Sequence, residues 1–171
     1  VQAAGYNYGE KLYEEHHARH PGWLIYGSET ASSVSSRGVY RFPLRASILT
    51  DDDLQCSSLG NSTTSWGTRD MAKMIVEDLR CGYSLGQYLW SGIDYVGEPT
   101  PYHTRSSYFG YVDTAGFPKD LFYYVRAAWQ DEPVLHIGVH WDWNAGQMID
   151  VNVMTNAHEA ELLVNVQSLG R

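Results

Sequence analysis

No run of lysine or arginine occurs in these 171 residues, and acidic side chains outnumber basic ones 20 to 12, for a formal net charge of −8. Nucleic-acid binding draws on a cationic patch, so no nucleic-acid partner is expected. No apolar stretch approaches the roughly 20 residues that a membrane-spanning helix needs, so no membrane partner is expected either. Cysteine is scarce: Cys56 and Cys81 match no metal or redox spacing and read as two free thiols. Position 1 is not methionine, and "VQAAGYNYGEKLYEEHH" has neither the basic start nor the apolar centre of a secretory signal. The chain therefore reads as starting inside a longer protein, which leaves its compartment unassigned. Phenylalanine is rare at 4, whereas tyrosine reaches 13 and tryptophan 6. Flat rings with a hydrogen-bonding edge suit wet, amphipathic binding surfaces such as those that hold sugars.

The pattern along the chain changes once. Up to about residue 130 it alternates between short apolar runs and amphipathic segments. "AAGYNY" is a short strand, and "EKLYEEHHARH" a helix stopped by Pro21-Gly22. "WLIYG" is a continuous apolar run of the kind buried on both faces, and "SETASSVSSRG" follows as a polar loop. After a long loop, Thr68 is placed to cap a helix whose buried face holds Met71, Met74, Ile75 and Leu79, with Glu77 and Asp78 outside. A second apolar run, Tyr88 to Trp90, leads into another long connection. A helix then buries Leu121, Phe122, Val125 and Trp129. Strand, loop and helix in repeated order is a parallel α/β signature. Beyond Pro133 the period becomes two: Ile149, Val151 and Val153, then Ala160, Leu162, Val164 and Val166, as in antiparallel strands with one buried face. The expected division is 1–132 and 133–171.

The segments "GYNY", "IYGSETASS" with "SSRGVYRFP", "YLWSGIDYVGEPTPY", "SSYFGYVDTAGFPKDLFYY" and "HWDWNAGQMIDVNVMTNAHEAELLVN" with "SLGR" together resemble glycoside hydrolase family 2, most closely its β-galactosidase-like members. The resemblance implies a partial (β/α)8 (TIM) barrel, its last strands and helices over 1–132, followed by the first strands of an immunoglobulin-like β-sandwich over 133–171. A complete barrel of this kind needs about 250 residues, so only a part fits here. It further implies a retaining glycosidase acting on a β-glycoside or oligosaccharide, without cofactor or metal, in a full-length parent that could be a homo-oligomer. The alternative is a non-catalytic chain serving as a structural or carbohydrate-binding module.

Barrel enzymes carry catalytic groups at the C-terminal ends of their strands. Glu29 stands there after the apolar run, and the resemblance matches it to the catalytic nucleophile. Ser28, Thr30 and a nearby tyrosine are candidate donors to its carboxylate. From the residues alone, capping of a following turn explains Glu29 equally well. The resemblance also matches Tyr8, with Asn7 beside it, to a tyrosine that hydrogen-bonds the nucleophile, and Trp90 to the floor of the sugar site. Asp94 and Glu98 are either sugar-hydroxyl acceptors or solvated loop charges. His16, His17 and His20 on "EEHHARH" and the triplet Asp51 to Asp53 lack the ligand spacing of a zinc or calcium site and read as solvated surface. Double displacement needs two carboxyl groups about 5 to 5.5 Å apart. The family carries the second in an Asn-Glu pair. No such pair occurs here, so its place is expected upstream of Val1. One local departure is also expected to matter: Val166 stands where an Asn-Gly turn is common, which makes that turn different or strained.

Overall fold

The computed structural model describes residues 2–50, 54–64 and 71–170. The expected cap at Thr68 and the triplet at Asp51 to Asp53 lie outside them. The chain runs β1 (Ala3–Asn7), a 3-10 turn (Glu10–Leu12), α1 (Tyr13–Arg19), β2 (Leu24–Ala31), β3 (Ile48–Leu49), β4 (Ser62–Thr63) and α2 (Met71–Arg80). It continues with β5 (Ser84–Trp90), β6 (Tyr95–Val96), β7 (Ser106–Ser107), α3 (Asp120–Trp129), β8 (Leu135–Ile137), β9 (Val153–Thr155), β10 (Leu162–Val164) and β11 (Gln167–Gly170).

The central sheet has the order β1-β2-β5, and both pairings are parallel. Parallel neighbours cannot be joined by a tight turn, so each step needs a crossover, and α1 and α2 supply them. Ala31 at the end of β2, Met71, Met74 and Ile75 of α2, Tyr111 of the loop before α3, and Leu121 of α3 form one buried cluster. The end of β2 is thus held from beneath by two helices. A second cluster, Val34, Cys56 and Phe109, sits under the loops that follow β2 and β5 and packs against Trp90 and Tyr95. A third, Leu59, Val139 and Met154 with Tyr123 and Tyr124, seats the β8–β9 hairpin on α3.

Several sequence expectations are corrected here. β2 does not end at Gly27 but runs through Ala31, and Ser32, Ser33 and Ser35 beyond it are buried rather than looped out in water. Small hydroxyl side chains fit close packing without the volume penalty of larger polar groups, which hydropathy does not register. On α2, Asp78 is buried, accepting a hydrogen bond from the Ser84 hydroxyl at 2.6 Å, while Leu79 is exposed. Trp129 at the end of α3 is exposed as well. The period-two segment forms strands only in part. Ile149 and Val151 lie outside them, and β10–β11 pair antiparallel but bury neither face, with Leu162, Leu163 and Val164 at 41%, 51% and 45% exposure. Alternation makes a face available; burial needs a facing layer, and none stands against this hairpin among the described residues. Its two-residue turn, Asn165-Val166, has φ of 50° and 65°, so it keeps the primed geometry with a β-branched residue in the left-handed region.

Candidate active site

Glu29 lies within β2, two residues from its end. β1 and β2 pair regularly from Ala3↔Leu24 to Tyr6↔Gly27, then slip by one so that Asn7 faces Glu29. The extra residue on β2 is Ser28. A bulge of this kind breaks the alternation of side chains and re-aims the residues beside it. Here it brings Glu29 next to Tyr8, the first residue beyond β1, whose φ is 51°. Tyr8 holds Glu29 twice: its backbone N–H donates to the Glu29 carbonyl at 2.8 Å, and its hydroxyl donates to Glu29 Oε2 at 2.9 Å. Burial, with the Glu29 carboxylate adding to it, pushes the Tyr8 phenol well above its ordinary range, so it remains a proton donor. Of the other donors expected for Glu29, Ser28 bonds the Asn7 side chain at 3.4 Å and Thr30 bonds Gln87 at 2.8 Å.

Tyr8, Glu29 and Trp90 open together on a cleft of about 480 Å³, whose remaining walls are Glu98, Pro99, Thr100, Tyr102 and Phe109. The structure thus brings Glu29, Tyr8 and Trp90 to one site. Trp90 ends β5, meets Tyr95 edge-to-face at 6.0 Å, and is joined to Ser91 by a cis peptide. Asn7 accepts a hydrogen bond from the Ser28 hydroxyl at 3.4 Å and does not line the cleft. Tyr6, within β1, bonds His16 at 2.8 Å instead. The histidines are held apart from one another, His17 stacked on Tyr83 and His20 on Trp23, and no group of three metal-ligating side chains occurs among the described residues.

Asp94 is not placed at the cleft. It is buried beneath it, paired with Lys119 at 2.8 Å and accepting the Gly110 N–H at 2.7 Å. The Lys119 ammonium also donates to the carbonyls of Ser35 at 2.6 Å and Tyr108 at 3.4 Å, so each of its three hydrogens has an acceptor. Burial pushes the Asp94 carboxyl up and the Lys119 ammonium down, and the ion pair opposes both shifts. The pair ties the loops after β2 and β5 to the start of α3. Gly110 passes so close that an added Cβ would lie 2.1 Å from the Asp94 nitrogen. The sequence signal for this post is weak: Lys119 follows an apolar-proline step and reads as an ordinary helix start. The cleft walls Tyr102 and Phe109 carry no local signal, because loop closure brings them together.

Similarity to known proteins runs over nearly the whole chain. The chain is 41% identical over 183 residues to β-galactosidase BoGH2A of Bacteroides ovatus, covering 99% of this chain and 21% of that protein. The chain belongs to glycoside hydrolase family 2. As a family 2 chain it spans about a fifth of the length of that curated relative. Residues 146–171 match the family described as a domain of unknown function (DUF4982). A solved β-glycosidase from Bacteroides vulgatus shares the fold with a TM-score of 0.84 at 23% identity, covering 99% of this chain and 26% of that one. Bacteroides uniformis β-glucuronidase 2, solved covalently bound to cyclophellitol-6-carboxylate aziridine, gives a TM-score of 0.69 at 26% identity, covering 99% of this chain and 21% of that one. Homologues of this family 2 chain are thus glycoside hydrolases.

Proposed function

We propose that these residues carry the nucleophile half of the active site of a retaining β-glycosidase that hydrolyses terminal β-galactosides. The observation that carries this reading is the Tyr8–Glu29 hydrogen bond of 2.9 Å at the C-terminal end of a parallel strand, opening on the same cleft as Trp90. Glu29 attacks the anomeric carbon as the bond to the leaving oxygen breaks, and that oxygen takes a proton from the second carboxyl group. Water, deprotonated by the same second group, then displaces Glu29 and restores the free carboxylate. That second group is expected from outside these 171 residues, since no Asn-Glu pair occurs in them. Tyr8 orients the Glu29 carboxylate by a charge-assisted hydrogen bond. Trp90 offers an indole face to the apolar side of the sugar. The three parallel strands are then consecutive strands of a (β/α)8 barrel over 1–132, with 133–171 opening a β-sandwich. The covalent adduct of the Bacteroides uniformis relative supports a covalent intermediate in the family.

The test is turnover of nitrophenyl β-galactoside by the full-length protein and its Glu29→Gln variant. We expect the variant to lose at least about 10³-fold in kcat with unfolding temperature unchanged within a few degrees. Near-normal rates would remove Glu29 from the nucleophile role. The 171-residue chain alone is expected to turn over nothing; activity from it would show that both carboxyl groups lie within it.

A further inference from the structure

The charged side chains along the cleft are Glu29 and Glu98, and no lysine, arginine or histidine lines it among the described residues. Glu98 stands at φ 42° between Gly97, at φ 100°, and Pro99. Its carbonyl accepts a hydrogen bond from the Thr100 hydroxyl at 3.5 Å. Its Oε2 accepts a hydrogen bond from the Tyr95 hydroxyl at 2.7 Å. Tyr95 in turn meets Trp90 edge-to-face at 6.0 Å, and its backbone N–H is bonded to the Ser107 hydroxyl at 3.2 Å. The indole and the carboxylate are therefore fixed to one another through a single tyrosine. A carboxylate has about four acceptor sites, so the bond to Tyr95 leaves several for a ligand.

We infer that Glu98 is a specificity-determining residue that selects neutral β-glycosides and rejects β-glucuronides. This rests on the glycosidase reading of the same cleft. A neutral sugar presents hydroxyl donors, which a carboxylate accepts strongly. A uronide presents a carboxylate of its own. Facing Glu98 across a lining whose described residues include no cation, it meets like charge. Discrimination by a repulsive element against the wrong ligand needs no added contact with the right one. Because Glu98 is exposed and its side-chain partner among the described residues is Tyr95, replacing it leaves the core untouched.

The experiment compares nitrophenyl β-galactoside with nitrophenyl β-glucuronide on the full-length protein and its Glu98→Gln variant. The native protein is expected to favour the galactoside by at least about tenfold in kcat/KM. Glu98→Gln should narrow that ratio by about tenfold, through a raised KM for the galactoside and a lowered KM for the glucuronide, with kcat changed less. Equal losses on both substrates, an unchanged ratio, or a native preference for the glucuronide overturn the proposal. If neither substrate is turned over, the glycosidase reading fails. Calorimetric binding of methyl β-galactoside against methyl β-glucuronide then decides the Glu98 assignment: galactoside preference lost in the variant supports it, and equal affinities in the native protein overturn it. Persistent turnover by Glu29→Gln, by contrast, removes the nucleophile and leaves the Glu98 ratio readable.

Discussion

Replacing Lys119 by methionine tests how the cleft is held up. Lys119 is 1% exposed and Asp94 8%, so the pair lies out of reach of bulk water. The substitution keeps the length and much of the volume of the side chain but removes three N–H donors. Asp94 is left with the Gly110 N–H, and the carbonyls of Ser35 and Tyr108 each lose a donor from Lys119. Removing one partner of a buried ion pair costs about 3 to 5 kcal/mol, because a buried charge is stranded. For a chain of this size, each kcal/mol moves the midpoint by about 2 to 4 °C, so the unfolding temperature should fall by about 6 to 20 °C. The loss should also depend on pH. Without the cation, burial acts on Asp94 against the Gly110 N–H and no longer against Lys119, and raises its folded pKa further above the unfolded value of about 3.9. A raised pKa contributes stability that is present below the unfolded pKa and is lost as pH rises through the folded one. Lys119→Met should therefore look least damaged near pH 4 and worst near pH 8. Lys119→Met with Asp94→Asn removes the stranded charge and should recover part of the stability, leaving about 1 to 3 kcal/mol for the Ser35 carbonyl, since the Tyr108 carbonyl keeps the Ser35 N–H at 3.0 Å. Thermal unfolding followed by circular dichroism across pH 4 to 8 reads all of this. A single variant that loses less than about 1 kcal/mol at pH 8, or a double variant no better than the single, refutes the assignment of the pair as a buried post.

Two further outcomes follow from the geometry. Tyr8→Phe removes the hydroxyl that orients Glu29 while leaving the backbone bond, so kcat of the full-length protein should fall by about 10- to 100-fold with the unfolding temperature nearly unchanged. A variant as active as the native protein would show that the carboxylate does not depend on Tyr8. Val166→Gly relieves a β-branched residue at φ 65° that is 93% exposed, and should stabilise the hairpin by about 1 kcal/mol. Slower amide exchange in β10 and β11 is the expected sign, and faster exchange would contradict it.

What the sequence made legible were features set by local order. The apolar run before Glu29 and the glycine missing from the Asn165-Val166 turn can be seen in a window of ten residues, and the repeated strand-loop-helix order is the succession of such windows. The Asp94–Lys119 pair cannot, because its members stand 25 residues apart and each reads as an ordinary loop or helix-start charge. Charge alone puts Asp78 on the outer face of its helix, yet the Ser84 hydroxyl makes its burial tolerable. The hydroxyl-rich stretch after Glu29 read as a loop because hydropathy penalises serine, whereas small side chains are what tight packing under the cleft admits. In the C-terminal strands the alternation marks a face that stays exposed, since no second layer covers it among the described residues.

The double hold of Tyr8 on Glu29 bears on how such a protein can change. One bond goes to the main chain and the other to the carboxylate, and both come from the same neighbouring residue across the sheet. The position of the carboxylate is therefore inherited from strand register and not from the loops that surround it. Insertions and substitutions in those loops can remodel the opening while the reactive oxygen stays where the bulge puts it. A one-residue slip between the two strands would displace main chain and side chain together. The site thus separates the strand register, which fixes the carboxylate, from the exposed loop positions around the opening, which do not.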